Sequence, residues 1–352
     1  MSAFRRGFLL LALSVGACTP VAPVPTRPIS AKPVIFAVAA SLGRGVNFGN
    51  KLEAPREGQW GTAVRDADID LVAQAGFRTI RLPVRFANHA ETTPPFRLDP
   101  AILSRVDHIV DVATAHGLNI LIDLHNHPQM FGDKLASNEE WVEPALLDDR
   151  FVALWRQIAE HFRSRPPTVL FELLNEPHKD MSADHWNRLA ARALQAVRES
   201  NPDRAVIIGP TDWNNAKDLD KLDLPADPNL IVTIHNYEPF TFTHQGASWL
   251  SGAVPPLGVK CCDAAQIARL TAPLDQAAAW GKARNRPIYL GEFGAYDRAD
   301  MASRAAFTRL MRDEAEKRGM SWSYWEFDSG FGAYDPKNGH WATPIKDALL
   351  GE

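Results

Sequence analysis

Val169-Leu170-Phe171-Glu172-Leu173-Leu174-Asn175-Glu176-Pro177 is apolar nearly throughout, ends on a polar pair and stops at a proline. A run this short and this apolar reads as a strand buried on both faces. Seven further runs of the same kind can be counted, at residues 45–49, 77–84, 119–126, 205–210, 230–237, 287–294 and 321–327. Between them lie amphipathic patterns, such as Ile102, Val106, Ile109, Val110 and Ala113, or Phe151, Leu154, Trp155, Ile158 and Phe162, at the three-and-four spacing of one buried helix face. Asp99-Pro100 supplies a helix cap followed by a first-turn proline, and Gly76 stands where a helix would end. Eight apolar strands alternating with helices predict an α/β fold, a (β/α)8 barrel forming a single domain. An open doubly wound sheet fits less well, because Gly45-Val46-Asn47-Phe48-Gly49 lacks the glycine spacing of a phosphate-binding turn.

Working outward, the N-terminus reads as an export signal, with Arg5 and Arg6 ahead of an apolar stretch at 8–15 that is too short to span a bilayer. Val15-Gly16-Ala17-Cys18 is similar to a bacterial lipobox, so residues 1–18 are read as a signal peptide and Cys18 as a lipidation site. Residues 19–36 carry five prolines and no apolar periodicity, the pattern of an extended tether, which leaves 37–352 as the catalytic domain. The expected location is therefore an exported lipoprotein anchored to a bacterial membrane, or otherwise a secreted protein. The net charge of −4 comes without a large basic patch and points away from a nucleic-acid partner. Cys261 and Cys262 are adjacent, with Cα atoms about 3.8 Å apart across an ordinary peptide, so no ordinary disulfide is expected between them. Two thiols and a vicinal bridge both remain open.

In a barrel of this kind the reactive groups gather at the C-terminal ends of the strands. Arg81 stands late in the second strand, His125 and Asn126 end the third, Asn175 and Glu176 the fourth, and His235 and Tyr237 the sixth. Glu292 comes late in the seventh and Trp325 in the eighth. So many polar strand ends, each needing a partner in a buried mouth, are hard to ascribe to packing. Two glutamates among them suit cleavage of a glycosidic bond, which needs a proton donor and a nucleophile or base on either side of it. On this reading Arg81 keeps Glu292 ionised, Tyr237 orients it, Glu176 holds the proton, Asn175 donates to a sugar hydroxyl and Trp325 offers a flat face to a sugar ring.

At these residues the chain resembles glycoside hydrolase family 5, the large cellulase family. Leu173-Leu174-Asn175-Glu176-Pro177 is similar to its acid/base motif and Gly291-Glu292-Phe293-Gly294 to its nucleophile motif, while Arg81, His125, Asn175, His235, Tyr237 and Trp325 follow in the expected order. The resemblance implies a retaining endo-β-1,4-glucanase without cofactor or metal, with mannan, glucomannan or β-1,3-glucan as alternative substrates. Gly49-Asn50-Lys51-Leu52-Glu53-Ala54-Pro55 and the stretch 235–247 are similar to a bacterial endoglucanase branch, which would place Asn50, Glu53, His244 and Trp249 beside Asn126 along the cleft. Loop capping is the competing role for Asn50 and Glu53, and packing under a long loop that for Trp249. Two rival functions compete with this reading. His125-Asn126-His127 could serve a metal-dependent hydrolase, and an anchored carbohydrate-binding protein without catalysis would also use exposed tryptophans. A serine esterase is disfavoured by the absence of a Gly-x-Ser-x-Gly elbow. Oligomeric state is not encoded in any pattern found.

Overall fold

In a computed structural model, the structure describes residue 1 and residues 34–351 apart from 137 and 251. The chain divides into two compact units, Met1–Ala31 and Lys32–Glu352, and only Met1 of the first is described. The signal sequence, Cys18 and the tether up to residue 33 thus lie outside the described residues.

Eight parallel strands close into a barrel in chain order: β1 (Arg44–Asn47), β2 (Thr79–Val84), β3 (Asn119–Leu124), β4 (Val169–Glu172), β5 (Val206–Ile208), β6 (Leu230–His235), β7 (Ile288–Glu292) and β8 (Ser321–Tyr324), with β1 paired to β8. All eight coincide with the runs counted above, β1 starting one residue earlier at Arg44. All but β2 end a few residues earlier, where the chain leaves the ladder near the polar residues of the mouth. Strand side chains alternate. Leu121, Leu170, Ile207, Ile231 and Tyr289 point inward to fill the barrel, while Ile120, Ile122, Val169, Phe171, Val206 and Val232 join the larger core beneath the helices.

The tether is shorter than its prolines suggested. Val34–Leu42 forms helix α1, and Ile35, Ala39 and Leu42 pack against the inward-facing strand residues, closing the N-terminal end of the barrel. Residues 34–36 therefore belong to the folded domain and not to the tether, because an apolar helix that covers an otherwise wet layer of leucines and isoleucines gains more by burial than by extension. Helices α2 (Asp66–Ala75), α3 (Pro100–Ala115), α4 (Leu147–His161), α5 (Ala183–Arg198), α6 (Ala264–Arg284), α7 (Met301–Lys317) and α8 (Thr343–Leu350) surround the sheet. Asp99 accepts the backbone N–H of Ala101 at 2.8 Å ahead of Pro100, and Gly76 ends α2 with φ 96°, both as the sequence predicted. The β5–β6 connection has no full helix, only a single turn at Thr211–Asn214 and a 3-10 segment at Ala216–Lys221.

One irregularity shapes the mouth. Ile234 pairs with Leu290 but His235 pairs with Glu292, so Gly291 is skipped and the histidine is brought opposite the glutamate. A Cβ on residue 291 would stand 2.6 Å from Thr233 Oγ1 and 2.9 Å from His235 Nε2, which is why the glutamate is preceded by glycine. Of the two states open to Cys261 and Cys262, the structure has the vicinal bridge, half-buried at the end of the long loop after β6. Among the described residues no helix is long and apolar enough to cross a membrane.

Candidate active site

Arg81 is fully buried at the centre of the mouth and uses its whole guanidinium fork. Nε and Nη2 bind both oxygens of Glu172 at 2.7 and 2.8 Å, Nη1 binds Glu292 Oε1 at 2.8 Å and Asn47 Oδ1 at 3.0 Å, and Nη2 also reaches Asn175 Oδ1 at 2.8 Å and Asp123 Oδ2 at 3.0 Å. Burial alone would lower the pKa of this group. The carboxylates of Asp123, Glu172 and Glu292 more than reverse that and hold it well above the ordinary arginine value. In return Arg81 fixes side chains from four strands, β1, β3, β4 and β7, relative to one another, a geometry that lysine's single ammonium could not reproduce.

Glu292 is bonded from two sides, by Arg81 at Oε1 and by the Tyr237 hydroxyl, which donates to Oε2 at 2.8 Å. Burial and the adjacent Glu292 charge push the tyrosine pKa well up, so it remains a phenol with a hydrogen to give. Glu176 stands across from it. Its backbone adopts φ 47°, in the left-handed region that non-glycine residues rarely occupy, and its Oε1 meets His235 Nδ1 at 2.7 Å. Burial is the main cause that raises the Glu176 pKa to about 7, against the pull of His178 and Arg81. The two glutamates and His235 offer ligand atoms that all lie within 4.8 Å of one another.

His125 donates or accepts through Nδ1 to Asp123 Oδ2 at 2.7 Å, and its ring lies nearly parallel to Trp325, centroids 5.9 Å apart. The indole in turn covers Gly49, where a Cβ would come within 2.7 Å of it. Burial drops the His125 pKa to about 3, leaving it neutral. Asn175 and Asn126 complete the floor and wall. Asn175 accepts from Arg81 through Oδ1, and Asn126 is half-buried with φ 60°. Asn50, also left-handed with φ 62°, gives its Nδ2 to Ser329 Oγ at 2.7 Å.

The outer residues divide. Trp249 is 55 % exposed, packed edge-on against Tyr296 with centroids 4.6 Å apart. His244 is buried, stacked on Phe240 at 4.2 Å. Glu53 departs from the cleft-lining role expected of it. It is only 2 % exposed, and its two oxygens take the backbone N–H groups of Asn50 and Lys51. Capping of the loop after β1 is what this carboxyl does, and burial pushes its pKa up to about 8. The paired histidines of the metal rival do not converge. His127 is buried edge-on to Phe151, away from the His125–Trp325 stack, and the metal-compatible cluster found among the described residues is Glu176, His235 and Glu292.

Several functional neighbours carry no signal in the chain's pattern. Asp123 and Glu172 sit inside strands read as apolar, Asn47 orients Arg81 from β1, and Lys51 is buried in an ion pair with Asp328 at 2.9 Å that ties the β1 and β8 loops together.

A closed eight-stranded parallel barrel, with two carboxyls close together at its C-terminal mouth and burial raising the pKa of one to about 7, is the arrangement of the two-carboxylate glycosidase class. Residues 43–330 match the cellulase family, glycosyl hydrolase family 5, and the chain belongs to that family. It is 33 % identical to Endoglucanase H of Acetivibrio thermocellus over 90 % of its own length, and spans about a third of that relative, 33 %. Among solved structures it is similar to a hyperthermophilic endo-β-1,4-glucanase in complex with substrate, at 37 % identity over 90 % of this chain and 99 % of that one, with a TM-score of 0.85. Thermotoga maritima Cel5A is also similar. Its cellobiose complex is 40 % identical over 89 % of this chain and 99 % of that one, with a TM-score of 0.84, and its mannotriose complex is 39 % identical with the same coverage and score.

Proposed function

We propose that this protein is a retaining endo-β-1,4-glucanase in which Glu292 is the nucleophile and Glu176 the acid/base. The observation that carries the mechanism is the spacing. One carboxyl oxygen of each glutamate lies within 4.8 Å of the other's, in keeping with the ~5–5.5 Å carboxyl separation of retaining enzymes. In the first half-reaction the Glu292 carboxylate bonds to the anomeric carbon, the glycosidic C–O bond breaks, and the Glu176 proton goes to the departing oxygen. In the second, Glu176 takes a proton from water, the water oxygen bonds to the anomeric carbon, and Glu292 leaves. Asn175 donates to the sugar 2-hydroxyl, and Trp325 gives the sugar ring a flat apolar face beside His125.

The β-1,4-glucan reading draws support from the similar endo-β-1,4-glucanase and the cellobiose complex, and the mannotriose complex of the same Cel5A favours glucomannan or mannan as a second substrate. Release of reducing ends from carboxymethyl cellulose, mixed-linkage glucan, glucomannan, mannan, xylan and laminarin tests both. Activity on the β-1,4-glucans, lost in Glu176→Gln and Glu292→Gln proteins, is expected, and activity that survives Glu292→Gln would overturn the mechanism. Because Glu176 must enter the cycle protonated and titrates near 7, kcat/KM is expected to fall about tenfold per pH unit above pH ~7, a limb that a pH–rate profile reads directly. We also propose export and membrane anchoring through lipidated Cys18, on the strength of the lipobox-like residues 15–18. Radiolabelled palmitate incorporation that persists in Cys18→Ser would count against it.

A further inference from the structure

Asn214 occupies a place in the mouth that the mechanism above does not use. It is fully buried at the end of the turn after β5, where Asp212, Trp213 and Asn214 have φ of 58°, 59° and 55°. Three consecutive left-handed residues, none of them glycine, persist only where the surroundings impose them. Among the described residues its side chain makes a single hydrogen bond, between Nδ2 and His235 Nε2 at 3.2 Å, while Oδ1 is buried without a partner. Room for the amide comes from Gly209, where a Cβ would stand 2.3 Å from Oδ1.

An amide nitrogen has hydrogens only to give, so His235 Nε2 must be the acceptor and the hydrogen of the neutral imidazole must sit on Nδ1. Nδ1 is the atom that meets Glu176 Oε1 at 2.7 Å and lies 3.6 Å from Glu292 Oε2. We propose that Asn214 is a positioning residue which, by donating to His235 Nε2, locks the Nδ1–H tautomer and makes His235 a standing hydrogen-bond donor to the acid/base Glu176.

The consequence follows from what Glu176 must do twice. A donor at 2.7 Å favours its carboxylate form and opposes the burial that favours the acid, so the group can still act as a base toward water in the second half-reaction. In the opposite tautomer Nδ1 would accept from the protonated carboxyl, stabilise the acid and weaken the base. Burial holds His235 neutral, with its pKa lowered to about 4, so the tautomer and not a charge is what Asn214 controls. The other charged or titratable groups facing Glu176 come from elsewhere: Arg81 on β2, Asp123 on β3, Glu172 on β4, His178 beyond it, Tyr237 after β6 and Glu292 on β7. His125, directly after β3, faces His235, and Asp212 on the same turn as Asn214 is exposed.

The inference rests on Glu176 being the acid/base, so its test has one arm that does not depend on catalysis. Nitrogen-15 NMR of the histidine-labelled wild-type protein at neutral pH is expected to show His235 protonated at Nδ1, and protonation at Nε2 would overturn the proposal. In the second arm, Asn214→Leu frees the tautomer, and the basic limb of kcat/KM is expected to move upward by about 0.5–1 pH unit. Damage to the fold alone would lower kcat without moving that limb. An unmoved limb in a folded Asn214→Leu protein overturns the tautomer lock and leaves the glycosidase reading intact, whereas full hydrolysis by Glu176→Gln overturns the reading on which it rests.

Discussion

Glu292→Ala is expected to lower hydrolysis of polysaccharide by at least ~10⁴-fold, and to do so without unfolding the protein, since Arg81 keeps Glu172 and Asp123 as partners when this one carboxylate is gone. The loss has a signature that separates a nucleophile from a general structural role. With the carboxylate removed, the face of the anomeric carbon it attacked is open, and an added anion such as azide can occupy it while Glu176 still protonates the leaving oxygen. The product is then the α-glycosyl azide from a β-glycoside. In Glu176→Ala the roles reverse. Glu292 still forms the ester when the leaving group needs no proton, as with a glycosyl fluoride, and azide then attacks that ester to give the β-azide. An α-azide from Glu292→Ala together with a β-azide from Glu176→Ala, identified by NMR of the products, fixes both assignments. Hydrolysis by Glu292→Ala at wild-type rate would leave the retaining mechanism without its nucleophile.

Glu176 and Glu292 stand out in the chain alone because each lies at or near the end of an apolar run, and a carboxyl in that position needs a reason. The same logic failed for Asp123 and Glu172. They sit inside the runs, and the cation that justifies their burial, Arg81, is 42 and 91 residues away in sequence but within 3.0 Å in space. Only the pairing of β2 with β3 and of β3 with β4 brings them together. Asn214 was invisible for a different reason, since a left-handed turn of Asp, Trp and Asn leaves no composition signal as glycine would. Helix α1, by contrast, was within reach. Val34-Ile35-Phe36-Ala37-Val38-Ala39 is an apolar run directly after Pro33, and counting its first three residues with the tether gives the prolines upstream too much weight. Glu53 shows the limit of the resemblance. A carboxylate three residues past Asn50 fits a cleft wall as well as a cap, and only the two backbone N–H groups pointing at its oxygens decide between them.

Arg81→Met is expected to cost about 3–5 kcal/mol of stability in addition to most of the activity. Asp123 and Glu172 have no exposure to water and no other cation in contact, so removing the guanidinium strands them in the barrel mouth. The dependence on pH distinguishes this from loss of packing. Burial already raises the Asp123 pKa to about 7 and raises that of Glu172, and without Arg81 both rise further. A carboxyl whose folded pKa lies above its unfolded value costs stability once the pH exceeds the unfolded value, reaches its full cost above the folded pKa, and is relieved as the pH falls back through it. The difference between Arg81→Met and wild type, read by urea unfolding, is therefore expected to be largest near pH 8 and to shrink steadily toward pH 5, as the stranded groups take up protons. A packing defect would give a difference flat across that range. Arg81→Lys supplies the complementary arm: it restores one positive charge and should recover part of the stability at pH 8. It cannot hold Glu172, Asn175, Asn47 and Glu292 in one plane, so its kcat should remain near that of the methionine protein. Recovery of kcat along with stability would mean that Arg81 contributes charge alone, and that the alignment of the nucleophile is set elsewhere in the mouth.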